Sequence, residues 1–298
     1  MRIVVALGGN ALLMRGEHAD ASVQLHHVEA AARALAPLAA EHELVVCHGN
    51  GPQIGLLALE SEADPSLSRP YPLDTLGAET QGMIGYWLAQ SLRNAGVRKP
   101  VLAVVTQTVV DASDPAFAAP TKFIGPIYDR VQAARLSEQN GWTVAADGSH
   151  WRRVVPSPEP LRLVEQDSIE QLVRGGTIVV CAGGGGAPVV DDGRLHGVEA
   201  VVDKDLTSAE LAIALNADRL LLLTDVPAVM TDFGMPDAVP LRRLELAELE
   251  ELTFPAGSMG PKIEACRRFV KATGAVAAIG ALTEAGAILE GSAGTTVC

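Results

Sequence analysis

Residues 3–12, "IVVALGGNAL", decide the fold. Five apolar residues run without polar alternation into two glycines and an asparagine. A strand buried on both faces ends this way when its loop serves a ligand, and the turn reads as a phosphate seat. Yet no Walker lysine follows, nor the G-x-G-x-x-G spacing of a dinucleotide fold. The positive charge for an anion must come from elsewhere in the chain.

Similar runs recur: "LVVC" (44–47), "VLAVV" (101–105), "TIVVC" (177–181), "LLLLT" (220–224) and "AVAAIG" (275–280). Between them, residues 28–40, 79–94 and 209–216 carry helical spacing. This alternation predicts an α/β fold around a mainly parallel sheet. Glycines gather just after the strands, at Gly8–Gly9, Gly49–Asn50–Gly51 and 183–186. Three such loops on one sheet edge predict a phosphate-binding crevice beyond the carboxyl ends of the strands. Residues 111–160, rich in proline and aromatics, break the rhythm and read as an excursion from the main sheet, a flap carrying Lys122.

The 298 residues suffice for one large or two modest domains, and 48% hydrophobic with 20% charged residues is an ordinary globular balance. A net charge of −13 disfavours nucleic acid and anionic membrane as partners. No apolar run approaches the roughly 20 residues of a membrane span. The start lacks a signal-length apolar stretch and a cleavage site, so a cytoplasmic protein is expected. The four cysteines have no metal or redox spacing; Cys47 and Cys181 end apolar runs and read as buried thiols.

Of the 23 basic residues only five are lysine: Lys99, Lys122, Lys204, Lys262 and Lys271. Three lie among turn residues, in "APTKFIGP", "VVDKDLTS" and "GSMGPKIE", where a compact ammonium suits and a planar guanidinium would not. Lys99 and Lys271 read as solvated surface charges. Thr207 and Glu210 form an apparent capping box, which would put Lys204 and Asp205 just before a helix N-terminus. Pro261 suits a first helical position, with Lys262 in the first turn and Gly274 at the far end. Each lysine then adds a charge where the helix dipole already favours anions. Phosphoryl transfer needs such countercharge, and a carboxylate between two lysines would keep them aimed. Asp205 is the candidate for that role, with Asp203 the weaker one. His48 reads as structural.

Together the loops resemble the carbamate kinases of the amino acid kinase superfamily. The matching segments are "ALGGNAL", "CHGNGPQIG", "ETQGMIGY", "PTKFIGPIY", "RRVVPSPEP", "CAGGGGAPVV", "GVEAVVDKD", "LLTDVPAV", "PAGSMGPK" and "GTTV", in order from residue 6 to 297. The resemblance implies a three-layer α/β/α sandwich in a single domain over 1–298, with a protruding subdomain near 111–160, and a homodimer. It implies reversible phosphoryl transfer between ATP and carbamate, giving ADP and carbamoyl phosphate, often at the end of arginine breakdown. Gly8, Gly9 and Asn10 would seat the moving phosphoryl group, and Gly49 and Asn50 the carbamate end. Lys122 would reach in from the subdomain while Lys204 and Lys262 flank the phosphates. Gly183, Gly184, Asp225, Met230, Met259 and Gly260 would line the nucleotide site, Met230 standing where relatives place an aromatic. Mg²⁺ would arrive with the nucleotide, without a protein-built metal site.

Rival readings are a kinase of another small carboxylic or amino acid, a nucleotide-sensing protein without turnover, and a nicotinamide oxidoreductase built on "AGGGGAP". The last lacks the spaced fingerprint and an acidic ribose partner.

Overall fold

The computed structural model describes residues 1–14, 16–231, 235, 237–249 and 259–298. All six apolar runs become strands of one eight-stranded sheet. Its order is Arg243–Leu244, Thr295–Val297, Val276–Ala281, Arg219–Thr224, Arg2–Leu7, Glu43–His48, Ile178–Val180, Val101–Ala103. Every neighbouring pair is parallel except Thr295–Val297 against Val276–Ala281.

Side chains alternate between two cores. Ile3, Val5 and Leu7 join Val28, Leu35 and Leu88 on one face, under helices Ala21–Glu41, Leu73–Asn94 and Ala285–Leu289. Val4 and Ala6 join Ala209, Leu215 and Phe269 on the other, under helices Gln166–Arg174, Lys204–Ala214 and Met259–Thr273. The result is a three-layer α/β/α sandwich. Because both faces are dry, both side-chain sets are apolar, which is why the strands read as continuous runs.

The three expected helices are present with shifted bounds, as Ala21–Glu41, Leu73–Asn94 and Lys204–Ala214. The third corrects the capping box. Asp203, not Thr207, is the N-cap: its Oδ1 accepts from the backbone N–H groups of Asp205 (2.8 Å) and Leu206 (3.3 Å). Thr207 instead points its hydroxyl at the carbonyls of Gly185 and Asp203. The short aspartate side chain reaches the free N–H groups one turn earlier than a Thr207–Glu210 box would. Pro261 is likewise the third described residue of its helix, still within the first turn, where a missing N–H costs little.

Residues 111–160 hold an antiparallel three-stranded sheet ordered Lys122–Tyr128, His150–Val155, Val144–Asp147. Helix Arg130–Asn140 lies beside it, opened by an Asp129–Gln132 capping box and closed by left-handed Gly141 (φ 68°). This unit sits on helix Gly51–Ala63, with Ile124 and Val155 packed among Ile54, Ala58 and Leu76.

Candidate active site

The chain leaves the carboxyl edge of the sheet at three neighbouring points, and backbone bonds lock the exits side by side. Gly8 N–H donates to Leu223 O (2.8 Å), Gly49 N–H to Leu7 O (2.9 Å) and Cys181 N–H to Val46 O (3.0 Å). Gly9–Ala11 form a single 3₁₀ turn. A Cβ on Gly49 would lie 2.8 Å from Gly9 N, so the first two loops touch backbone to backbone, an approach only glycine permits. Asn10 contributes its backbone to that turn; its side chain lies outside the described atoms. Asn50, buried at the N-cap of helix Gly51–Ala63, donates from Nδ2 to Thr80 Oγ1 (2.8 Å).

The lysines meet at this edge. Asp205, 3% exposed, takes Lys204 Nζ on Oδ1 at 2.5 Å and Lys262 Nζ on Oδ2 at 3.0 Å. Lys122 Nζ, from the inserted unit, donates to Asp203 Oδ2. The same Asp203 that caps helix Lys204–Ala214 therefore also anchors the flap. From these five groups the edge carries 3 − 2 = +1 inside a chain of net −13, with Asp225 also acting on Lys262. The N-terminus of helix Lys204–Ala214 adds its dipole to that charge. The positive charge that the glycine turn lacks is gathered here.

Titration follows from the same contacts. Burial alone would raise the Asp205 carboxyl, but the two ammonium groups hold it well below the usual carboxylate range. Asp203 is lowered too, Lys122 overriding its burial. Burial lowers Lys204 despite Asp205, whereas for Lys262 the attraction of Asp205 outweighs burial and raises it. His48 is buried and pushed down to about 4, chiefly by desolvation, so it is neutral at pH 7. Its Nδ1 sits 3.0 Å from Gly49 O, as a structural imidazole would.

Gly183 and Gly184, expected at the nucleotide, are buried. Their absent Cβ positions are filled by His48 and Gln81 for Gly183, and by the Asn50 side chain for Gly184 (φ 63°). Asp225 follows the strand Arg219–Thr224, accepting from Thr224 Oγ1 at 2.9 Å. Met230 lies in a short antiparallel pair with residues Pro240–Leu241. Met259 and Gly260 open the helix that carries Lys262; residues 257–258 of that motif, like 232–234, lie outside the described residues. Lys99 is tied down rather than solvated, donating to His42 O at 2.8 Å. Thr80 and Gln81 entered the sequence reading only within the quoted segment "ETQGMIGY", with no role assigned, and Glu62 went unread, since a lone glutamate on a helix has no distinguishing spacing.

The chain matches the amino acid kinase family model over residues 1–280. The chain belongs to the amino acid kinase family. Among relatives in this family, carbamate kinase of Rhizobium meliloti is 51% identical, covering 100% of this chain and 93% of its own. Carbamate kinase of Pyrococcus horikoshii is 45% identical, over 99% and 98%. Carbamate kinase from Giardia lamblia, solved with citric acid, superposes with TM-score 0.94 at 38% identity over 99% and 97% of the two chains. The same enzyme bound to AMP-PNP gives a TM-score of 0.89. The family makes the chain a phosphotransferase, and the sandwich is its fold.

Proposed function

We propose that the chain is a carbamate kinase, moving a phosphoryl group reversibly between ATP and carbamate. The observation that carries this reading is Asp205 holding Lys204 and Lys262 side by side at the glycine-lined edge. A carbamate oxygen attacks the γ-phosphorus of ATP in line, and the bond from that phosphorus to the β,γ-bridging oxygen breaks. ADP keeps the electron pair, and carbamoyl phosphate forms. The migrating group carries its charge on three oxygens, so the protein contributes alignment and countercharge. Lys204 and Lys262 face those oxygens, Lys122 closes from the flap, and Gly9 and Asn10 offer backbone N–H groups, while Gly8, its own N–H bonded to Leu223 O, sets the turn. Asn50 and Gly49, backed by Gly183 and Gly184, form the acceptor end. Asp225, Met230, Met259 and Gly260 border the nucleotide, so in this reading the two buried glycines move from nucleotide to acceptor.

No enzyme nucleophile is needed. His48 is engaged with Gly49 O, and Cys47, Cys181 and Cys266 are buried. Among the described residues no group of three or more His, Cys, Asp or Glu could hold a metal. Both oxygens of Asp203 and of Asp205 are already occupied by lysines or backbone N–H groups. These carboxylates therefore offer no ready Mg²⁺ seat, and the ion belongs with the nucleotide's phosphates.

Residues 111–160 act as a subdomain protruding from the single domain. A homodimer fits the exposed edge strand Val101–Ala103, where Leu102 and, just beyond, Val105 stand 45% and 49% exposed. Free thiols at all four cysteines agree with a reducing, cytoplasmic setting. Placement at the ATP-forming end of arginine breakdown rests on the family resemblance alone. The test is ATP formation from ADP and carbamoyl phosphate, set against phosphorylation of glutamate or acetylglutamate by ATP. Turnover only with the latter would refute the proposal. Lys262→Ala should lower turnover by about 10²-fold, as losing one transition-state donor does.

A further inference from the structure

The inserted unit packs along helix Gly51–Ala63 and also meets the body at Asp203 through Lys122, at Val201, whose N–H donates to Pro156 O (2.9 Å), and at Arg268 through Glu159. At the end near the active site, Gly55 meets Gly125: a Cβ on Gly55 would lie 2.0 Å from Gly125 Cα, and Gly125 itself has φ +70°. Ile54 and Ala58 then contact Ile124 and Val155. At the far end, seven residues on from Gly55, stands Glu62. Its carboxylate gathers three donors from the inserted unit: Trp142 Nε1 (2.9 Å) and Arg153 Nη1 (3.3 Å) on Oε1, and Asn140 Nδ2 (3.0 Å) on Oε2. The Arg153 guanidinium also stacks 4.6 Å from the centre of the Trp142 ring. Beside this cluster a cavity of about 360 Å³ separates the inserted unit from the body, with Tyr71, Leu76, Trp142, Arg153 and Glu199 among its walls. Glu62 is thus a polar fastening between helix Gly51–Ala63 and the inserted unit, with three donors on one carboxylate.

We infer that Glu62 is a positioning residue for the reaction: it docks the inserted sheet on helix Gly51–Ala63 and so aims Lys122 at the phosphate site. The inference rests on the role proposed for Lys122. The linkage is short. Lys122 begins the strand Lys122–Tyr128 and is in register with Val155 on the strand that carries Arg153. A tilt about the Gly55–Gly125 contact, once Glu62 lets go, moves both strands as one body and draws Lys122 from Asp203. A displacement near 1 Å at a catalytic group costs about 10²-fold in rate.

The test is a double-mutant cycle with Glu62→Ala and Lys122→Ala, read as kcat and KM for carbamoyl phosphate, with ADP affinity measured separately. Expected is a loss in kcat/KM of about 10²-fold for Glu62→Ala, shrinking to about two-fold or less in the Lys122→Ala background, with ADP affinity unchanged. Hydrogen exchange of the amides in 122–128 should also quicken by about ten-fold or more in Glu62→Ala. Glu62→Gln, which keeps one oxygen for Trp142 but loses the charge facing Arg153, should fall between. Gly55→Ala gives a second route to undocking: alanine favours the helix but collides with Gly125, so the same cycle should show the same non-additivity. A loss of equal size in both backgrounds, or unchanged exchange and kinetics, overturns the inference alone. A fully active Lys122→Ala enzyme overturns the role of Lys122 and the inference with it.

Discussion

Asp205→Asn separates countercharge from shape at the centre of the site. The substitution keeps the volume and one acceptor oxygen but removes the charge facing two ammonium groups, at 2.5 and 3.0 Å. The amide –NH₂ that replaces the second oxygen points a donor at a donor. Lys204 and Asp205 are 8% and 3% exposed, so water cannot make good the loss. Each pair represents about 6 kcal/mol of gross attraction at an effective dielectric near 20. Most of that is offset by desolvation already incurred, and breaking a buried pair costs about 3–5 kcal/mol net. For a chain this long the melting temperature should fall by roughly 2–4 °C per kcal/mol, so by about 6–20 °C.

Two excess positive charges then await an anion. Inorganic phosphate or ADP should restore more of the melting temperature in the variant than in the parent, by mass action on the folded state. The pH dependence has a defined sign. A carboxyl whose folded value is depressed contributes stability that is complete above its unfolded value and is lost as pH falls through the folded one. The gap between parent and variant should therefore stay constant above about pH 5 and narrow only in stronger acid. Calorimetric melting at several pH values, with and without phosphate, is the assay. A variant within 1–2 °C of the parent at pH 7, with no extra rescue by phosphate, would show that Asp205 does not hold the lysines as described.

Three further outcomes follow from the same geometry. Burial depresses Lys204, so the alkaline limb of kcat should fall below the ordinary lysine range near 10.4, and Asp205→Asn should move it lower still; a limb unchanged between the two enzymes would refute that assignment. His48, neutral down to about 4 in the fold, is protonated in the unfolded chain below about 6.5. Stability should therefore drop as pH falls from 6.5 to 4, by up to about 3 kcal/mol, and His48→Gln should flatten that slope in denaturant titrations. Gly184→Ala must place a Cβ 2.1 Å from Asn50 Nδ2 at φ +63°; it should weaken carbamoyl phosphate binding more than ADP binding, and equal effects on both would argue against its acceptor-side placement.

The strands were readable because each signal is local. A strand buried on both faces is apolar at every position, so 3–7 and 220–224 announce themselves without knowledge of their neighbours. Lysines set among turn residues in an arginine-rich chain stand out the same way. The start of helix Lys204–Ala214 was misplaced because two caps competed and Asp203 prevailed by reach. Glu62 was invisible, since a glutamate late in a helix resembles a solvated charge until Trp142 and Arg153 arrive from 80 and 91 residues away. Glycines 183–186 stand where an added Cβ would meet His48, Asn50, Val202 and Thr108, neighbours that no local pattern announces.

By itself, then, the order of residues determined the α/β alternation around a mainly parallel sheet and the edge on which the glycine loops collect. Backbone periodicity and turn chemistry act between near neighbours and survive in a one-dimensional record. The tertiary structure alone decided that Asp203 receives Lys122 across 81 residues, and it put Lys262 on the Asp205 carboxylate, named from the sequence, across 57. Such pairings depend on which strand lies beside which, and burial gives them their strength, because the same charges would be screened to little consequence in water.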